Sequence, residues 1–232
     1  VGLDYCIRHG LLPEGTSLPS TPEVDYHAAA QTKRPLVLKA ARSLLAQPDH
    51  PWAAPLARFV SDAPWATDAA VFYALRRAHD DASWWDWPDA LRRCQSAAVS
   101  HAVEDLSDEI AVWRAALFLF ERQWADVQRM ASDRGIGLVG DMPIYVGWDS
   151  VDVWSNQGLF LLDDSGHPTA LLSAGTVAGI AHAQARRAAR AAPARGDPKT
   201  EPGTSGTKKA GGHRIHRPHF HASTTAAGPA CA

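Results

Sequence analysis

The stretch Gly135-Ile136-Gly137-Leu138-Val139-Gly140-Asp141-Met142-Pro143-Ile144-Tyr145-Val146-Gly147-Trp148-Asp149-Ser150-Val151-Asp152-Val153-Trp154 decides how the rest of the chain is read. Residues 136–139 are an apolar run of strand length, and Gly140-Asp141 follows at its C-terminal end. Tyr145, Trp148, Asp149, Asp152 and Trp154 come within the next few positions. A short strand that empties into carboxylates and indoles is the pattern of the open mouth of a β/α barrel. Indole and phenol rings stack on the apolar faces of pyranoses, and carboxylates accept hydrogen bonds from sugar hydroxyls.

Working outward from there, residues 100–132 carry Val103, Leu106, Ile110, Trp113, Leu117, Phe120, Trp124, Val127 and Met130 at three- and four-residue spacing. That periodicity predicts one long amphipathic helix, closed by Gly135 as a C-terminal cap. A helix running directly into strand 136–139 is an α→β step. On the far side, residues 159–169 read as a strand edge with a tight Asp-Ser-Gly turn. Residues 80–88, Asp-Asp-Ala-Ser-Trp-Trp-Asp-Trp-Pro, read as a packing corner that anchors helices, with a sugar platform as the alternative.

Further upstream, Val24-Asp25-Tyr26 opens a helix through Lys33 that is expected to break at Pro35 and resume over 36–46. Additional helices are expected over 54–61 and 67–78, the latter with Asp68 favouring its start through the helix dipole. Residues 1–24, with Pro13, Pro19 and Pro22, read as an excursion.

Composition divides the chain. Residues 176–232 hold nine Lys or Arg against two acids, which leaves 14 basic and 23 acidic side chains in residues 1–175. All nine Trp precede residue 155, and the last Leu is Leu172. Residues 1–170 therefore read as one domain, and 171–232 as a basic, low-complexity tail expected to be disordered for want of apolar area to bury. Three scattered cysteines fit a reduced, cytoplasmic protein. No secretory leader and no membrane span is read in the sequence.

The motifs Gly140-Asp-Met-Pro-Ile-Tyr-Val146, Asp149-Ser-Val-Asp-Val-Trp154, Leu159-Phe-Leu-Leu-Asp163 and Gly166-His-Pro-Thr169 closely resemble the amylomaltase family, the 4-α-glucanotransferases of glycoside hydrolase family 77. Val24-Asp25-Tyr26, Asp68-Ala-Ala-Val-Phe-Tyr-Ala-Leu75, Trp84-Trp-Asp-Trp-Pro88 and Phe120-Glu-Arg-Gln-Trp124 are similar to family landmarks in the same order. The resemblance implies an α/β fold: a (β/α)₈ TIM barrel with helical insertions, present here in part. It implies transfer of an α-1,4-glucan segment between maltodextrins, without metal or organic cofactor. The chemistry implied is retaining: one carboxylate attacks the anomeric carbon while a second carboxylic acid, about 5–5.5 Å away, protonates the leaving oxygen. The 4-hydroxyl of an acceptor sugar then resolves the intermediate. Asp141, Tyr145, Trp148, Asp149, Asp152 and Trp154 are the expected substrate-binding residues. For Asp149, N-capping of a short helix is the competing reading; for Trp154, buried packing.

The family pattern stops near residue 170. The family's loop after Gly-x-Pro-Thr, its nucleophile motif Arg-Ile-Asp-His-Phe and its acid/base Glu have no counterparts, and Asp197 and Glu201 lie in a Pro/Gly/Thr context with no strand to hold them. The expectation is a chain without its catalytic carboxylates, translated out of frame beyond about residue 170. A non-catalytic glucan-binding fragment and a protein acting through its basic tail are the alternatives. The His-rich run His213, His216, His219 and His221 is read as misreading and not as a metal site, and the tail as lacking the aromatics for specific nucleic-acid binding.

Overall fold

A computed structural model describes residues 1–18, 23, 25–140 and 146–169 of the chain. Its helices are α1 (Leu3–Arg8), α2 (Tyr26–Leu45), α3 (Ala53–Asp62), α4 (Pro64–Ala78), α5 (Asp89–Arg92), α6 (Ser96–Asp105), α7 (Ser107–Asp133) and α8 (Val151–Ser155). Single 3₁₀ turns cover Trp84–Asp86 and Gln157–Leu159.

Burial, more than propensity, decides several of these boundaries. α2 runs unbroken through Pro35, against the expected interruption. An internal proline costs roughly 3 kcal/mol in lost hydrogen bonding and ring clash. The helix continues because Leu38, Ala40, Ala41 and Leu44, all just beyond the proline, are buried in a shared core. At its start the Asp25 carboxylate accepts the Ala28 N–H at 3.0 Å, an ordinary N-cap. α4 begins at Pro64, earlier than expected, so Asp68 lies outside the first turn and has no dipole role there. The predicted long helix is two: α6 and α7 meet at Leu106, whose backbone (φ −105°, ψ 18°) leaves helical geometry.

α7 is the spine. Its Val112, Ala115, Ala116, Phe118 and Leu119 pack with Leu3, Cys6, Leu11, Leu12, Leu38, Leu44, Trp52 and Leu56 in a first core. Its Ile110 joins a second core made of α4 (Ala70, Val71, Phe72, Ala74, Leu75), Trp84, Trp87, Val99, Val153 and Trp154. The apolar periodicity then outlasts the packing. Phe120, Trp124, Val127 and Met130, four residues of the predicted face, are 41–50% exposed.

The end of α7 follows the sequence. Gly135 takes φ +69°, its N–H bonds the Ser132 carbonyl, and the Ile136 N–H bonds the Ala131 carbonyl. Those two bonds are the Schellman closure that glycine permits.

The predicted strand does not form. Residues 136–140 have no regular structure, and Ile136, Leu138 and Val139 are 55%, 51% and 98% exposed. A parallel strand takes all its ladder bonds from neighbouring chain segments, and the described residues offer none beside this one. The one β pairing among the described residues is an isolated antiparallel bridge, Leu162 to Pro168. It closes the turn at Asp163-Asp-Ser-Gly166, where the sequence placed one. The described part is therefore helical, in place of the alternating α/β layers expected.

Candidate functional site

The segment 146–169 lies on the second core and is tied down through indoles. Trp84, completely buried, donates its Nε1–H to the Trp148 carbonyl at 3.0 Å. Trp148 in turn donates to the Gly166 carbonyl at 3.0 Å. Trp154, also completely buried, donates to the Leu91 carbonyl at 2.8 Å, and Trp87 to the Ala82 carbonyl at 3.2 Å. Trp84, Trp87 and Trp154 bury their rings and satisfy their single polar atoms, the combination that makes buried tryptophan favourable. At roughly 25 cal/mol per Å², a fully buried indole contributes on the order of 4–6 kcal/mol gross. The 80–88 turn is thus a packing corner for Trp84 and Trp87.

Trp85 and Trp148, both half-buried, stack face to face, with centroids 3.8 Å apart and planes 13° from parallel. His167 tilts against both, at 6.0 and 5.1 Å. The Asp163 carboxylate accepts the N–H groups of Ser165 (2.8 Å) and His167 (2.9 Å), which fixes the turn that carries this histidine. The His167 N–H, then the Ser165 N–H, hold the Asp163 carboxyl below the usual carboxylate range.

Asp149 turns inward. Its Oδ2 lies 2.9 Å from Arg76 Nη2 and accepts the Ser83 hydroxyl at 3.0 Å, while its Oδ1 is shut from solvent without a hydrogen-bond partner. It does not cap α8. Ser150 holds that position, its hydroxyl accepting the Val153 N–H at 3.4 Å. Asp152, in the first turn of α8, is exposed. Gln157 closes the far side, donating Nε2–H to the carbonyls of Arg92 (2.6 Å) and Trp154 (3.1 Å), and Arg92 donates to the Asp164 carbonyl.

Of the six residues singled out from the sequence, Trp148, Asp149, Asp152 and Trp154 are brought together on one short segment. Trp148 and Asp152 reach the surface, Asp149 is tied to Arg76 and Ser83, and Trp154 is enclosed with no ring face open to a ligand. Asp141 and Tyr145 lie outside the described residues, as do Asp197, Glu201 and the His-rich run. Sequence reasoning missed Arg76, Ser83 and Trp85 as partners of this segment; they contact it from more than 60 positions away. Among the described residues, no group of His, Cys, Asp and Glu is placed to hold a metal ion, and no helix is long and apolar enough to cross a membrane.

Comparison with known proteins places the chain. Residues 3–179 match the glycoside hydrolase family 77 described as 4-alpha-glucanotransferase. The chloroplastic/amyloplastic 4-alpha-glucanotransferase of Oryza sativa subsp. japonica is 36% identical over 179 residues, covering 73% of this chain and 29% of the rice protein. The 4-alpha-glucanotransferase of Streptococcus pneumoniae serotype 4 is 33% identical over 178 residues, 74% of this chain and 35% of that one. Among solved structures, the amylomaltase from Streptococcus agalactiae in complex with acarbose superimposes with a TM-score of 0.65 at 30% identity, over 73% of this chain and 35% of that one. The chain thus spans about a third of the length of the relatives it matches.

Proposed function

The chain belongs to the 4-alpha-glucanotransferases of glycoside hydrolase family 77, and from that premise we propose that it is a portion of an enzyme that passes α-1,4-glucan segments between maltodextrins. The proposed reaction is a retaining double displacement, with the 4-hydroxyl of a second sugar in place of water as the final acceptor. The barrel belongs to this reading too: residues 136–139 become a strand where the remainder of a family chain supplies neighbours on both sides. A cytoplasmic setting is part of the same proposal, although the rice relative is named as chloroplastic/amyloplastic.

The observation that carries the proposal is the family match through the segment that ends in Trp148, Asp149 and Asp152. On that segment Trp148 offers ring surface and Asp152 an exposed carboxylate, the two group types that recognise a pyranose. We assign these two, with Asp141 and Tyr145, to contact with glucan. Asp149 acts from behind them, and Trp154 holds the floor.

The reactive carboxylates are the second part of the proposal. The sequence supplies none in the family's pattern, so the chain as written is expected to bind glucan without turning it over. Incubation with maltotriose, followed by separation of the products, tests this. No glucose and no longer maltodextrins are expected, while saturation-transfer NMR is expected to detect bound maltotriose. Disproportionation by the pure chain overturns the catalytic deficit, and absence of maltotriose binding overturns the glucan-binding role.

A further inference from the structure

Asp149 is held by groups that belong to other parts of the fold. Arg76 sits in the last turn of α4, its side chain 29% exposed, and places Nη2 2.9 Å from Asp149 Oδ2. Ser83, at the entry to the tryptophan turn, donates to the same oxygen at 3.0 Å. Both supports converge on one oxygen, and Oδ1 is enclosed with no partner. The negative charge therefore depends on a single guanidinium. A partly buried carboxylate that loses its cation keeps the desolvation cost and loses the compensation. The segment around it would then move.

What would move is the proposed recognition surface. Trp148 precedes Asp149 directly, Ser150 follows as the cap of α8, and Asp152 stands in that helix's first turn. We infer that Arg76 is a positioning residue for glucan recognition, holding Trp148 and Asp152 in place by pinning the Asp149 carboxylate between them. This rests on the glucan-binding reading above. It adds to it a cation on a helix of the second core, 73 positions from the carboxylate it holds.

The test uses the full chain and four variants: Arg76→Met, Arg76→Lys, Asp149→Asn and the Arg76→Met/Asp149→Asn double variant. Affinity for maltotriose is read by titration, and the setting of the segment by the indole N–H resonance of Trp148. Arg76→Met is expected to weaken maltotriose binding about tenfold and to shift that resonance, with Arg76→Lys restoring both. In the double variant, loss of the second partner is expected to add little to loss of the first, because the two act as one unit. Unchanged affinity with an unchanged Trp148 resonance in Arg76→Met overturns the inference. So does failure of Arg76→Lys to restore either readout. If Arg76→Met does not fold, Ser83→Ala, which removes the other donor to the same oxygen, takes its place: a Trp148 shift supports the pin, and none overturns it. If the unaltered chain binds no maltotriose, it is the glucan reading that fails, and the Trp148 resonance still decides the positioning claim.

Discussion

Gly166 lies against the Trp84 indole so closely that a Cβ at that position would meet Cζ3 at 2.7 Å and Cη2 at 2.8 Å. Its φ of +84° is also one that side-chain-bearing residues rarely adopt. The Asp163-to-Gly166 turn and the completely buried Trp84 are thus fitted to each other, and the turn carries the carbonyl that Trp148 binds. Gly166→Ala is expected to cost roughly 1–3 kcal/mol from overpacking, plus about 1–2 kcal/mol from backbone strain. Urea unfolding followed by tryptophan fluorescence measures it; a midpoint equal to that of the unaltered chain would contradict the fit.

Trp154 is enclosed and donates to the Leu91 carbonyl. Trp154→Ala is expected to destabilise by about 3–5 kcal/mol, as large aromatic truncations in cores do. Trp154→Phe keeps most of the packing but leaves the Leu91 carbonyl without its donor, for about 1–3 kcal/mol. A smaller loss for Ala than for Phe would show that the ring does not fill the second core as described.

The Asp163 turn is expected to loosen in acid. Its carboxyl is depressed by the His167 and Ser165 N–H groups, so its contribution is present above the unfolded-state value and disappears as pH falls through the lower folded value. The Trp148 indole signal is expected to change over that acid range, and Asp163→Asn to abolish the change. An identical acid profile in Asp163→Asn assigns the transition to another group.

Tyr5 gives the opposite sign. Burial, and then its hydrogen bond to Asp126 Oδ2 at 2.9 Å, raise the phenol above its usual value. The neutral form is the one the fold favours, so this stability is present below the unfolded value and is lost as pH rises through the folded one. Tyr5→Phe is expected to cost about 0.5–1.5 kcal/mol near neutral pH and to flatten the alkaline side of the stability curve. Equal alkaline loss in both proteins, followed by circular dichroism, would refute it.

Phe120, Trp124, Val127 and Met130 form an apolar stripe that nothing among the described residues covers. Replacing Phe120 and Trp124 with Gln is expected to change stability by no more than about 0.5 kcal/mol each and to reduce self-association, since exposed apolar surface favours it. Light scattering and thermal melts on the pair of variants decide this. A loss of several kcal/mol would mean the stripe is packed in solution.

Sequence alone was enough for features encoded over a few adjacent residues. The glycine closure at Gly135, the Asp-Ser-Gly turn and the ordered family motifs each depend on local backbone chemistry or on a string of side chains in register. The core face of α7 was legible only in part: of the residues read as its apolar face, Ile110 is buried and Trp113 and Leu117 are partly so. The core is filled by Val112, Ala115, Ala116, Phe118 and Leu119, because periodicity reports which residues are apolar and not which side a partner reaches. Tertiary structure decided everything that depends on a distant neighbour. Pro35 stays inside a helix because the residues after it have a core to fill. Residues 136–139 stay irregular because a parallel strand's hydrogen bonds come from segments beside it. Asp149 is drawn inward because Arg76 and Ser83 arrive there from another part of the chain. Local sequence fixes what a segment prefers; its outcome follows from the groups the fold delivers to it, because burial and cross-chain hydrogen bonds outweigh the small free energies of local preference.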